Sequence, residues 1–292
     1  MPMQQFRDYA ELYLDTAALS LSSKLSYRDS LNIYWLPLLH DERVADIGYA
    51  QLLQIDHLID WPSPKTRKNG HVALRGVFAL AYLDLGLPLS QSPAHNIKLG
   101  RHQRQRPDPF SKSERDAILD WMISKRHGQY FRTAFATGMR SGELIALVWE
   151  HYHGDSITIC QSRVRGQLKG TKTAHERRVY VPAWLREELD QYWTRPLGSA
   201  IFLNQYRRPL QKPDHPNRLF RRCLAALDIR PRRGPYPWRH TYASIGISEG
   251  VAPAFLARQL GHSLETFYRT YADWISADQD RAQRDALERT WG

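Results

Sequence analysis

Between Gln91 and Pro109 the sequence reads QSPAHNIKLGRHQRQRPDP, which is polar, basic and punctuated by prolines. Such a segment has few apolar side chains to bury, and its prolines prevent it from running on as one helix. It reads as a linker over residues 91–109. It divides the 292 residues into two bodies, 1–90 and 110–292, each long enough to bury a core. Charge divides near the same place. Residues 1–100 hold 9 Lys/Arg against 10 Asp/Glu, whereas 101–292 hold 32 against 20, so the whole of the net +11 falls beyond residue 100, on the linker's arginines and the second body. A body of that sign is suited to a polyanion, and arginine, its main cation, suits forked phosphate contact. Arg101, Arg104, Arg106 and Arg115 crowd the linker, either as a solvated face or as a strap along a phosphate backbone.

Periodicity describes the two bodies further. Phe6, Tyr9, Leu12 and Tyr13 recur at helical spacing. A second helix is expected from Ser22 or Ser23 up to Pro37, and two more over residues 47–58 and 68–85, the last stopped by Gly86 and Pro88. Ser111-Lys112-Ser113-Glu114 matches a capping box, and helices are expected after it, over 130–137 and over 142–148. From Ser156 the period changes. Residues 156–164 and 177–181 are β-like, joined by the polar segment GQLKGTKTAHE. Helices resume over 184–193, 216–227, 240–249, 254–260 and 268–274. The expected fold class is mainly α with a small antiparallel β-sheet: a helical N-terminal domain followed by a mixed α/β domain.

Several function classes are excluded. No apolar run reaches the roughly 18 residues a membrane helix needs, and the N-terminus lacks the charged start and apolar stretch of a signal peptide. Cys160 and Cys223 lack metal-ligand spacing, and His151 and His153 have no third ligand nearby. A reduced, cytoplasmic protein with no cofactor and no resident metal is expected.

What could such a protein do to DNA? Breaking a phosphodiester without a metal needs fixed positive charge for the transition state, a nucleophile, and an acid for the leaving oxygen. Arg140 lies in a glycine-flanked turn, Ala136-Thr137-Gly138-Met139-Arg140-Ser141-Gly142-Glu143-Leu144. Further on come Pro237-Trp238-Arg239-His240-Thr241-Tyr242-Ala243-Ser244 and Gln259-Leu260-Gly261-His262-Ser263, and Tyr271 follows His262 by nine residues.

In these segments the chain resembles the tyrosine recombinases, the phage-integrase family. That family's pattern runs T-G-x-R-x-x-E-L, a lysine on a β-hairpin, H-x-x-R-H-T-x-A-S, L-G-H-S, and a tyrosine nine residues beyond that histidine. The resemblance covers about residues 108–280. It implies that Arg140 and Arg239 clamp the scissile phosphate and that Lys172 protonates the leaving 5′-oxygen. His262 would donate a hydrogen bond or assist proton transfer, and Glu143 would orient the first arginine. Tyr271 would attack, forming a 3′-phosphotyrosyl link that conserves bond energy without ATP or metal. It also implies a helical core-binding N-terminal domain, double-stranded core-site DNA clamped between the domains, and a homotetramer exchanging C-terminal segments, here residues 275–292. A directionality factor or host DNA-bending protein would be a possible partner. With helical spacing starting almost at once, no arm-binding domain is expected, so either core sites alone would be bound or the sequence is a shortened form.

One position departs from the pattern. Three residues before Arg239 the family usually has histidine, and here stands Tyr236, which is neutral and a poor base. Water, His262 or the phosphate itself would then take the nucleophile's proton. Tyr268 competes with Tyr271 but reads as a packing aromatic, Lys169 competes with Lys172, and His240 reads as a structural histidine at a helix start. Three alternatives stand beside the recombinase: a type IB topoisomerase-like strand transferase, a catalytically silent DNA-binding regulator of the same fold, and a general basic nucleic-acid chaperone.

Overall fold

The computed structural model describes residues 5–100, 106–170, 176–191, 199–231, 236–274, 284–285 and 287–291. The chain divides into two compact units, Met1–Arg104 and Gln105–Gly292. Among the described residues no helix is long and apolar enough to cross a membrane.

The first unit is helical: α1 (Phe6–Thr16), α2 (Leu21–Ser30), α3 (Leu36–Leu39), α4 (Tyr49–Leu58), α5 (Pro64–Asp84) and α6 (Pro93–Asn96). Ser20 caps α2. Ser63 caps α5, where Pro64 takes a first-turn position in which its missing N–H costs nothing. Phe6, Tyr9, Leu31, Trp35, Leu74 and Phe78 are fully buried in the core around α5. The run expected to end before Pro37 continues to Leu39. Leu31–Trp35 form a π turn, with the Leu36 N–H bonded to the Leu31 carbonyl. This wider turn shifts the hydrogen-bond ladder and lets the chain pass a proline that would break a regular helix.

The linker expected over 91–109 is also corrected at its start. Residues Pro93–Asn96 are helical, and Ala94 and Ile97 are buried in the first unit's core. Arg75 fixes the segment by donating from Nε to the Ala94 carbonyl at 3.1 Å and from Nη2 to the Ile97 carbonyl at 2.6 Å. Two apolar residues inside a polar run are enough to dock it.

The second unit contains α7 (Lys112–Met122), α8 (Gly128–Thr137), α9 (Ser141–Leu144), β1 (Ser156–Ile159), β2 (Gln161–Val164), β3 (Gln167–Gly170), β4 (Arg177–Tyr180), α10 (Ala183–Asp190), α11 (Asp214–Ala226), α12 (Pro237–Ser248), α13 (Pro253–Leu260) and α14 (Leu264–Tyr271). The capping box of α7 forms, with the Ser111 hydroxyl accepting from the Glu114 N–H and the Glu114 carboxylate accepting from the Ser111 N–H. α8 is the central helix. Tyr130, Phe131, Thr133, Ala134 and Phe135 are buried on it, and α7, α11 and α12 pack around it.

The expected single sheet is two antiparallel pairs, β1 with β4 and β2 with β3. The first half of the polar segment folds back as β3 because Arg165 and Gly166 both take positive φ, 50° and 83°. That is the backbone a two-residue hairpin turn requires. Lys172, expected in this hairpin, lies outside the described residues, while Lys169 is on β3 opposite Ser162. The helix expected over 142–148 is a single turn, Ser141–Leu144.

Candidate active site

Four short segments of the second unit bring the predicted side chains together. α8 ends at Gly138, which takes φ +64° as a left-handed cap. A Cβ there would lie 2.6 Å from Leu260 Cδ2 and 2.9 Å from Tyr242 Cδ1, so both the conformation and the packing demand glycine. The sharp turn delivers Arg140 to the start of α9. Glu143 holds it from two directions: the carboxylate accepts from the Arg140 backbone N–H at 2.8 Å and from its Nη1 at 2.9 Å. Arg177, at the start of β4, donates to the same carboxylate at 3.1 and 2.7 Å. Burial raises the pKa of Glu143, but the hydrogen bonds and charge of Arg177, then Arg140, outweigh it and hold the group at about 2. Glu143 is therefore an ionised pivot between two guanidinium groups.

Arg239 enters from the first turn of α12. It is buried, and donates from Nη1 to the Gly138 carbonyl at 2.8 Å, from Nη2 to the Leu260 carbonyl, and from Nη2 to His262 Nε2 at 2.9 Å. Burial, then the positive charge of Arg140, lowers its pKa to about 9, with Glu143 opposing, so it remains charged at neutral pH. The neighbouring Trp238 ties the same turn down by donating to the Met139 carbonyl at 2.8 Å. The Arg140 side chain, by contrast, is 39% exposed. One guanidinium forms the floor of the site and the other opens to solvent.

His262 and Tyr271 come from the C-terminal side. α13 ends in Gly261 at φ +63°, His262 follows, and Ser263 caps α14 by accepting from the Thr266 N–H at 3.2 Å. The nine-residue spacing is thus one capping serine plus a helix of about two turns. Helical side chains lean toward their helix N-terminus, so Tyr271, at the end of α14, reaches back toward His262. The two rings are stacked, with centroids 6.3 Å apart and an interplanar angle of 21°. Phe267, one turn earlier, packs on Tyr271 at 4.9 Å. Tyr271 is 1% exposed and faces the cluster, whereas Tyr268, a quarter turn round from Phe267, is 45% exposed.

Burial, then the charges of Arg239 and Arg140, lower the His262 pKa to about 3. The ring is neutral at pH 7. Its Nε2 lone pair accepts from Arg239, so Nδ1 carries the hydrogen, and that atom is buried with no partner among the described residues. In this neutral form His262 offers a hydrogen-bond donor at Nδ1.

Tyr236 stands apart. It takes a left-handed φ of 62° at the start of α12, and its ring packs edge-on against Trp238 at 5.7 Å. Its hydroxyl bonds to no described residue. The residue found on the Tyr271 hydroxyl instead is His240, whose Nδ1 lies 3.0 Å from it. Sequence reasoning gave His240 a structural role, although it sits inside the same R-H-T motif as Arg239. Arg177 and Gln259 also had no assigned role. The Gln259 amide oxygen accepts from the Tyr180 N–H at 2.7 Å and its carbonyl accepts from Arg177 Nε at 3.0 Å, joining β4 to α13. No motif assigns either of them a role, since each acts by contacts between distant segments, 34 positions apart for Arg177 with Glu143 and about eighty for the pairings with Gln259.

A cavity of about 920 Å³ lined by Arg126, Tyr130, Glu188 and Arg207 contains none of these side chains. The arginine cluster is the better candidate for a polymer backbone, which lies along a surface and need not enter a cavity. Among the described residues no group of three or more His, Cys, Asp or Glu could hold a metal ion.

The chain belongs to the phage integrase family, whose model matches residues 110–276. It is 28% identical over 225 residues to the prophage integrase IntR of Escherichia coli (strain K12), covering 66% of this chain and 54% of that protein. The chain thus spans about half to two thirds of the length of the curated relatives it matches. The fold is similar to that of the Tn1549 transposon integrase in complex with a circular intermediate DNA, with a TM-score of 0.78 at 16% identity, covering 98% of this chain and all of that one. It is also similar to a lambda integrase dimer bound to a COC′ core site, with a TM-score of 0.72 at 17% identity, covering 93% and 94% of the two chains. These likenesses establish the fold, mainly helical with small antiparallel sheets.

Proposed function

We propose that this chain is a site-specific DNA strand transferase that cuts and rejoins double-stranded DNA through a 3′-phosphotyrosyl link at Tyr271, serving integration or excision of a mobile element. One observation carries the reading: Arg140, Arg239, His262 and Tyr271, spread over more than 130 positions, converge on one cluster with Glu143 at its base. A scissile phosphate in that cluster meets two guanidinium groups. Arg239 has five N–H donors, three of them committed to described partners, which leaves two for phosphate oxygens. Arg140 adds a second charge from the open side, and His262 Nδ1–H a neutral donor. This preorganised charge stabilises the phosphorane-like transition state. Tyr271 Oη attacks phosphorus, and the 5′-oxygen leaves with a proton that the resemblance assigns to Lys172. Double-stranded core-site DNA, a homotetramer on two duplexes and accessory DNA-bending or directionality proteins belong to the same reading.

The test is covalent trapping on nicked suicide duplexes. The wild-type chain forms a protein–DNA adduct, Tyr268→Phe retains it, and Tyr271→Phe loses it. An adduct with Tyr271→Phe but not with Tyr268→Phe reverses the assignment. Relaxation of any supercoiled plasmid, with no dependence on a site pair, would instead support a topoisomerase.

A further inference from the structure

We propose that His240 is the group that takes the phenolic proton of Tyr271, a role that rests on the strand-transfer reading above. His240 is the fourth residue of α12, one position beyond Arg239. That step turns it about 100° around the helix, away from the phosphate floor and toward the end of α14. Its Nδ1 lies 3.0 Å from the Tyr271 hydroxyl, and the tilted rings meet at 53° with centroids 5.8 Å apart, so the contact is a hydrogen bond and not a stack. With its hydrogen on Nε2, the neutral imidazole presents a lone pair to the hydroxyl at the distance a general base requires.

The other candidates are either poor bases packed away from Tyr271 or committed elsewhere. Tyr236 bonds through its hydroxyl to no described residue and packs against Trp238. His262 already spends its lone pair on Arg239. Glu143 is bound by Arg177 and Arg140. Among the described residues, the titratable groups that face His240 include Tyr271 of α14 and His262 of the α13–α14 turn, with Arg239 and Arg140 beyond His262. The histidine missing at position 236 is thus replaced from one helical turn further on, on the same helix.

The step balances as follows. The Tyr271 Oη–H bond breaks, its proton passes to His240 Nδ1, and the oxygen's electron pair forms the bond to phosphorus. The bond from phosphorus to the 5′-oxygen breaks, and that oxygen is protonated by the acid on the leaving side. On rejoining, the 5′-hydroxyl returns its proton to the group that supplied it and its oxygen bonds to phosphorus, the bond from phosphorus to Tyr271 Oη breaks, and the His240 imidazolium returns the proton to Oη.

The test uses the full chain and a nicked duplex selected by wild-type trapping from a pool with randomised core sequence. A second version of that duplex carries sulfur in place of the bridging 5′-oxygen, so that its departure needs no acid. His240→Asn places an amide near the Nδ1 position but cannot take a proton. We expect adduct formation to slow roughly 100-fold on both duplexes and to lose its rise with pH. We expect His240→Ala to be slowed similarly and restored by imidazole in the buffer, which a merely structural loss would not be. Wild-type rates and pH profile in both variants overturn the assignment, as does slowing that imidazole does not relieve and that leaves the pH profile unchanged. If the wild-type chain traps no duplex from the pool, the strand-transfer reading itself falls. If it traps one and the variants match it, only the role of His240 falls.

Discussion

Glu143 and His262 give the site a pH signature that differs from one residue to the other. His262 is held neutral, with its pKa lowered from 6.5 to about 3, so the unfolded chain binds a proton in that interval that the folded chain refuses. Its stabilising contribution is complete above about 6.5 and is lost as pH falls toward 3. Glu143, lowered from 4.5 to about 2, contributes above 4.5 and is lost between 4.5 and 2. The thermal midpoint of the second unit should therefore fall as pH drops from 7 to 5, and His262→Gln should flatten that decline; an unchanged slope in the variant contradicts the buried neutral imidazole. Gly138→Ala should cost about 2 kcal/mol or more, from a non-glycine residue at positive φ and a methyl group forced against Leu260 and Tyr242. Urea denaturation measures it, and a change below about 0.5 kcal/mol would show that the turn relaxes freely. At this scale the sequence singled out, by motif, residues that gather in one cluster: Arg140, Arg239, His262 and Tyr271. It did not disclose Arg177, Gln259 or the partner of His240, because those roles exist only through contacts between distant segments.

Among the elements, α14 carries Tyr271, the proposed nucleophile, and its geometry depends on its first turn. The Ser263 hydroxyl accepts from the Thr266 N–H at 3.2 Å. Ser263→Ala should cost about 1 kcal/mol and slow adduct formation by more than that destabilisation alone, since fraying the turn moves Tyr271 relative to His262. Equal adduct rates at saturating DNA would contradict this. Helices were legible wherever a period and a cap coincided, as at Ser111 and Gly86. They were misjudged where a local rule was overridden. Pro37 did not stop its helix because a π turn absorbs it, and Ala94 and Ile97 dock although their segment reads as linker. The sheet was legible as β but not as two pairs, because the Arg165-Gly166 turn looks like any polar loop until its φ values are known.

Across the whole molecule, charge asymmetry is the broadest expectation to be tested. The second unit carries the net positive charge, so duplex affinity should fall by about 10³ or more between about 50 and 200 mM salt. Fluorescence anisotropy with a labelled duplex reads this, and an affinity flat across that range would contradict phosphate-led binding. The central claim is that Tyr271, in the cluster of Arg140, Arg239, His262 and His240, becomes covalently joined to DNA. Its most direct measurement is peptide mapping of the trapped protein–DNA adduct by mass spectrometry after nuclease and protease digestion. The account predicts a nucleotide 3′-phosphate on the Tyr271 phenolic oxygen, with Tyr268 unmodified. A nucleotide on any other residue, or an intact Tyr271 in a chain that has cleaved DNA, would contradict it.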